Sequence, residues 1–263
     1  SPDPRRLYRE AARVLRPGRT WSAFADPVVR AALEEVLRIT PDESNENRIS
    51  ALSQLASVPP YALDMQRSKA LSATALTLAR KRNSRTLLAE ALRARLYALS
   101  GPDDIDALLA AAHEMLALDG DAASGISIAA HSACYSAAIH RGDLTGADLA
   151  LAELGRTARL QPRPEALWYH DRLKAQRRFL EGDFAGAETA FADLQNMRVS
   201  SPWLPAVPEI LTALERQDTR AVTAQWDLTT LVSRADEMPA EYGAGMARVA
   251  VILNREDLAR PLL

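Results

Sequence analysis

Four histidines, one cysteine and two groups of basic side chains are the residues of this 263-residue chain best suited to chemistry. The histidines are His113, His131, His140 and His170. None belongs to an H-E-x-x-H pair, and a lone cysteine excludes C-x-x-C, so zinc-ligand spacing is missing. His113–Glu114 and His170–Asp171 are adjacent, and adjacent helix residues are expected to point to different faces. Exposed or partner-bonded helix histidines explain them better than a metal, and neither metal nor cofactor is expected. Cys134 lies in SACYSAA, where a packed thiol is favoured over a nucleophile. There is no G-x-S-x-G nucleophile elbow and no G-x-x-x-x-G-K-[ST] phosphate loop. Carboxylates are numerous, but 25% of the chain is charged and no two of them pair in an apolar setting. A solvated face is the plainer reading, and the chain is expected not to be an enzyme.

The basic groups invite binding chemistry instead. Arg80, Lys81, Arg82 and Arg85 span the end of one helix and the start of another, where cations complement the helix dipole. Arg172, Lys174, Arg177 and Arg178 share one helix with Trp168, Tyr169 and Phe179. That helix reads either as a solvated or inter-repeat face, or as the wall of a binding groove. Trp168, Trp203 and Trp226 read first as fillers between repeats.

The elements that carry these residues follow from composition. Hydrophobic residues make up 48%, aromatics only 5%, and Ala plus Leu supply about a third of the chain. Ala and Leu are strong helix formers, because they lose little side-chain freedom there. An all-β chain would need more β-branched and aromatic residues. A disulfide scaffold would need more than one Cys, and a disordered chain could not carry this much apolar residue at a net charge of −2. With pI near 6.1 there is no general footprint for nucleic acid, and no direct nucleic-acid contact is expected. No apolar run approaches the roughly 18 residues of a membrane span, and the first residues show no signal-peptide pattern. One cysteine in an apolar stretch fits a reducing, cytoplasmic setting. Opening at Ser1 rather than Met is what a piece of a longer polypeptide would show.

An internal repeat organises the helices. HRGDLTGADLALAEL at 140–154 aligns with LEGDFAGAETAFADL at 180–194. Gly142–Asp143 matches Gly182–Asp183, Ala147 matches Ala187, Leu151 matches Phe191 and Leu154 matches Leu194. Weaker copies put Ala107 and Ala110 in the positions of Ala147 and Ala150, Val222 and Trp226 in those of Ala187 and Phe191, and Ala259 in that of Ala147. Spacings near 35 to 40 residues are those of helical-pair solenoids. In each unit Gly closes one helix in the left-handed conformation and Asp caps the next. A single pair cannot bury its apolar face, so neighbours must stack. Helices are expected near 4–15, 26–38, 44–56, 61–82, 84–99, 103–118, 122–141, 144–159, 164–181, 184–196, 203–216, 219–233, 238–253 and 256–263. Residues 1–45 are less regular and are expected to cap the array or to belong to a preceding region, with 46–263 as the repeat domain. The chain stops inside an apolar helix at Leu263, so an incomplete last pair and a homodimer are also expectations.

The pattern G-D-Φ-x-x-A-x-x-x-Φ, carried by Gly142 to Leu151 and Gly182 to Phe191, resembles the turn and second helix of the tetratricopeptide repeat. The Trp, Leu, Gly and Tyr of that repeat's first helix are largely absent, so the likeness is to TPR-like units. Residues 68–116 and 166–191 are similar to the C-terminal helical region of large bacterial signalling proteins with an AAA-type or STAND-type ATPase. Those include LuxR-type regulators, regulators with a bacterial transcriptional activator domain, and class III adenylate cyclases. The resemblance implies an all-α fold of antiparallel helix pairs stacked as a right-handed TPR-like superhelix. It further implies a non-catalytic regulatory region that binds a protein, peptide or small molecule, alongside the ATPase and output domains of a parent chain. In such arrays the first helix of each pair lines the concave face. That register brings Tyr169, Arg172, Gln176 and Phe179 toward the groove, with Ala129, Ser132, Ser136 and Ile139 as their counterparts one repeat earlier. A self-association module is the alternative function.

Overall fold

A computed structural model describes residues 27–42, 45–57, 65–99, 101–119, 125–160, 164–196 and 247–260. The described residues are all-helical. The longer helices are α1 (Pro27–Ile39), α2 (Glu46–Ala56), α3 (Met65–Arg82), α4 (Arg85–Ala98), α5 (Ile105–Asp119), α6 (Gly125–His140), α7 (Leu144–Leu160), α8 (Pro164–Leu180) and α9 (Phe184–Asn196). A 3-10 turn (Pro102–Asp104) precedes α5, residues 247–252 are helical, and a short α10 (Glu256–Ala259) follows them. Ends of the described helices fall within a few residues of those expected. The helices expected at 4–15, 203–216 and 219–233, with Trp203, Val222 and Trp226, lie outside the described residues.

Two compact units divide inside α8, between Leu173 and Lys174. In the first unit each helix from α1 to α6 packs on the next, and α4 also packs on α2 and on α6. The core repeats in the same way. Ile49 and Leu52 of α2 meet Ala75, Leu78 and Ala79 of α3, and Leu87 and Ala91 of α4. Leu92, Leu96 and Leu99, in and just after α4, meet Leu108, Ala111, Ala112 and Met115 of α5, and Ala130, Ala133 and Ala137 of α6. Tyr135 and Ala138 of α6 meet Ala147, Ala150 and Leu154 of α7, and Leu173 of α8. Every core therefore needs a first helix, its second helix and the next first helix. The first helices α4 and α6 are apolar on two sides because each serves two cores.

The Gly-Asp turns behave as their residue types dictate. Gly142 and Gly182 adopt φ of +72° and +83°. The Asp143 N–H donates to the Ala138 carbonyl at 2.9 Å and the Gly142 N–H to Ile139 at 3.0 Å, which closes α6 in a Schellman turn. Asp143 then caps α7 by accepting the Gly146 N–H at 2.8 Å, and Asp183 caps α9 by accepting the Gly186 N–H at 2.9 Å. A Cβ on Gly146 or Gly186 would overlap the capping carboxylate. The turn recurs at 250–259 with Asn254 at φ +56°, and Ala259 is buried as Ala147 is. Asn is the second residue able to hold this conformation.

One repeat register differs from expectation. Ala107 and Ala110 are exposed, whereas Leu108 and Ala111 are buried. The unit is anchored on Asp104 rather than Asp103. The Asp104 carboxylate accepts the Gly101 N–H at 3.1 Å and pairs with Lys69 at 2.7 Å. The interval from Asp104 to Asp143 is then one residue shorter than that from Asp143 to Asp183.

The basic group at 80–85 ties helices together. Arg80 pairs with Glu114 at 2.6 Å, Arg82 with Glu46 at 3.1 Å, and Arg85 donates to the Leu118 carbonyl. Arg67 pairs with Glu34 and Arg141 with Asp106 in the same style. Partly exposed pairs are individually weak, so they set alignment more than stability.

Gly142 has open space where a Cβ would stand, so a substitution there meets only the backbone penalty. Gly142→Ala is expected to lower unfolding free energy by about 1–2 kcal/mol, and Gly142→Asn by less. Urea denaturation followed by circular dichroism measures both. An alanine variant as stable as the parent would mean that the left-handed turn is not held in solution.

Candidate functional site

The site is assembled from the first helices α4, α6 and α8. Their shared register comes from burial. Ala91, Ala94 and Ala98 of α4 are buried, as are Ala130, Ala133 and Ala137 of α6, each 39 residues on. The Gly142 and Gly182 turns align α6 with α8 at 40. In this register Glu90, Ala129 and Tyr169 are equivalent, then Arg93, Ser132 and Arg172, then Tyr97, Ser136 and Gln176. Successive sets lie three or four residues apart along α4 and along α6, so each of these helices carries its members on one face.

Tyr169, Arg172, Gln176, Ser132 and Ser136 are all half-buried, as are Ala129, Ile139 and Phe179. That intermediate exposure suits a lining residue, which is neither core nor fully solvated. Ser132, Ser136, Tyr169 and Arg172 belong to the first unit, and α6 reaches α8 there through the Tyr135 hydroxyl, which donates to the Leu173 carbonyl at 3.3 Å. Gln176 follows Arg172 by one turn in α8 but falls in the second unit. In that unit Phe179 stacks at an angle on Phe184, with ring centroids 5.3 Å apart.

Around Arg172 the arrangement is aromatic. Its guanidinium carbon lies 5.6 Å from the centroid of the Trp168 ring, and Trp168 meets Tyr169 edge-on at 5.2 Å. Trp168 is buried, in keeping with a filler between helices. The cation over its face gains an electrostatic attraction to the ring quadrupole. Arg172 Nε and Ser132 Oγ are buried atoms without a hydrogen-bond partner. Such atoms carry an uncompensated desolvation cost. The Ser136 carbonyl accepts from His140 Nδ1 at 2.9 Å.

Sequence reasoning missed the α4 members of the face. Glu90 accepts the Ser50 hydroxyl at 2.8 Å and the Gln54 amide at 3.2 Å, a carboxylate held by neutral donors of α2. Carrying the repeat register one unit upstream would have found Glu90, Arg93 and Tyr97. The expected separation of His170 and Asp171 also fails. His170 Nδ1 donates to the Asp171 carboxylate at 2.8 Å. The other edge of the ring fits over Gly155 of α7, where a Cβ would stand 2.7 Å from Nε2.

Among the described residues no three His, Cys, Asp or Glu side chains gather as metal ligands, and no helix is long and apolar enough to cross a membrane. Cys134 is half-buried beside the α6–α7 core. The chain matches no protein-family model, and no curated protein matches it.

Burial pushes the Cys134 thiol above its ordinary pKa, because a thiolate would be poorly solvated there. A raised thiol pKa lowers the thiolate fraction at any given pH. Alkylation by iodoacetamide is therefore expected to be slower than for a free thiol at pH 8, with its rise displaced to higher pH. Unfolding in urea should restore the ordinary rate. Native alkylation as fast as that of glutathione would contradict a packed thiol.

Proposed function

We propose that this chain is a non-catalytic regulatory module whose stacked first helices bind a protein, peptide or small-molecule partner. The observation that carries the reading is the shared face of α4, α6 and α8. It is polar and aromatic and half-buried nearly throughout, and it holds buried donor atoms that lack partners. A face of rigid aromatic rings, an arginine and hydroxyl groups supplies desolvated anchors and adaptable hydrogen bonds. The three-helix cores that recur along the first unit support continuation of the pairs as a right-handed TPR-like superhelix with this face on its concave side. The resemblance to regulatory regions of bacterial ATP-dependent signalling proteins supports a cytoplasmic role in signalling or transcription control, next to an ATPase and an output domain in a parent chain.

The test removes Tyr169 and Arg172, the two side chains that contact the Trp168 ring. Tagged parent and Tyr169→Ala/Arg172→Ala protein are compared by quantitative co-purification from native cells and by thermal denaturation. Recovery of the bound partner is expected to fall about tenfold or more. The melting temperature should drop by only about 2–8 °C, because the contacts removed from the Trp168 ring, edge-on Tyr169 and cationic Arg172, are together worth about 1–2.5 kcal/mol. Unchanged recovery with an intact fold would rule out this face.

One observation favours self-association as a second reading. Leu149 and Leu160 are 66% and 61% exposed, and eleven residues apart they share one face of α7. Light scattering over a dilution series, on parent and Leu149→Ser/Leu160→Ser protein, decides it. A dimer that the double change dissociates supports this reading, and a parent that stays monomeric at all concentrations removes it.

A further inference from the structure

The outward face of α7 carries residues that the repeat does not ask for. Six positions after each capping aspartate, α5 has Ala110, α7 has Leu149 and α9 has Thr189, and all three are exposed. A small or polar residue serves this position in the neighbouring pairs, so the repeat gives no packing reason for a leucine in α7. Leu160, at the end of the same helix, is exposed in the same way. Glu153 and Arg156 stand between the two leucines, both exposed and paired with each other at 2.8 Å. Leu149, Glu153, Arg156 and Leu160 follow one another at intervals of four, three and four residues. At about 100° per residue they fall within about 60° of one another on the helix surface. Such spacing is that of a short coiled-coil seam, with leucines at its ends and opposite charges at its middle.

We propose that this seam joins α7 to the α7 of a second copy of the chain, antiparallel about a twofold axis. The inference rests on the self-association reading and adds the orientation and the contacts of the pair. Read backwards, the seam is complementary to itself. An axis level with the Leu154–Gly155 peptide bond sets Leu149 against the partner's Leu160 and Glu153 against the partner's Arg156. Symmetry supplies the two reverse contacts, as an isologous interface requires. Run parallel, the same helices would set Glu153 against the partner's Glu153 and Arg156 against the partner's Arg156. Like charges in contact are repelled, so the antiparallel sense is selected. Glu153 and Arg156 remain partly solvated and contribute little attraction as single pairs. The leucines therefore supply the driving force, and the charges fix direction and register. One helix pair is a small contact, so the dimer belongs to the weak, concentration-dependent class. No first-helix residue takes part in it.

The experiment is sedimentation velocity on the full chain from micromolar to millimolar concentration, with circular dichroism as the check on folding. The parent is compared with Glu153→Arg, with Arg156→Glu, with the double reversal, and with an equal mixture of the two single variants. Each single variant places four like charges around the axis and is expected to raise the dimer Kd about tenfold or more. The double reversal restores every contact with the signs exchanged, so its Kd should return to that of the parent. The mixture should form a heterodimer tighter than either variant forms alone, because one copy then brings only arginines and the other only glutamates. A dimer that Leu149→Ser/Leu160→Ser dissociates, but that the charge variants leave unchanged, would overturn the antiparallel pairing and leave self-association through α7 standing. A double reversal as weak as the single variants would do the same. A parent that stays monomeric at millimolar concentration would overturn the proposal and the self-association reading together. So would a monomeric parent that loses a co-purifying protein of another kind on Leu149→Ser/Leu160→Ser, since the seam would then belong to a different chain.

Discussion

Close approach of successive first helices is the constraint on which the rest of the first unit depends. Ala91 of α4, and Ala130, Ala133 and Ala137 of α6, turn small side chains to the preceding core. A larger side chain there would push the helices apart and open voids that neighbouring side chains could not fill. Because α4 and α6 each close one core and begin another, a shift in either would be felt in two cores. The larger residues, such as Leu92, Leu96 and Tyr135, fill the forward side, where a second helix leaves more room.

Capping turns make that approach repeatable. The two-residue reversal at Gly142–Asp143 and Gly182–Asp183 leaves few backbone donors or acceptors unmet, and so fixes the angle at which a second helix leaves its first. Once the angle is fixed, the third side of each first helix has no core to join. On α4, α6 and α8 that side carries Glu90, Arg93, Tyr97, Ser132, Ser136, Tyr169 and Arg172. Polar residues there do not disturb packing.

Those turns were legible in the amino-acid sequence because each position admits so few residues. Positive φ leaves Gly or Asn, and a cap leaves Asp, Asn, Ser or Thr. The period then carried the register to α8 and to Tyr169, Arg172 and Gln176. The unit at 103–112 was misread by one residue because Asp103 and Asp104 both offer a cap, and alanines stand in either register. Only the larger Leu108 and Met115 separate the two. Interhelix pairs such as Arg80–Glu114 and Arg82–Glu46 were hidden for another reason: charged residues are frequent, and pairing depends on rotamers at helix surfaces. The seat of His170 over Gly155 was equally unreadable, since a glycine inside a helix gives no sign of what lies above it.

The three-helix composition of each core has a consequence for how the chain tolerates changes of length. Among the described residues of the first unit each helix packs mainly on its own pair and the next, so its packing is a string of local agreements. A segment cut from one second-helix cap to the next, such as 104–142, begins and ends at equivalent points of the backbone path. Its removal or duplication would leave every remaining helix facing the kind of neighbour it already has. Such a scaffold can lengthen or shorten the face of its first helices in steps of one helix pair, and each step adds or removes one position in every row without reshaping the others.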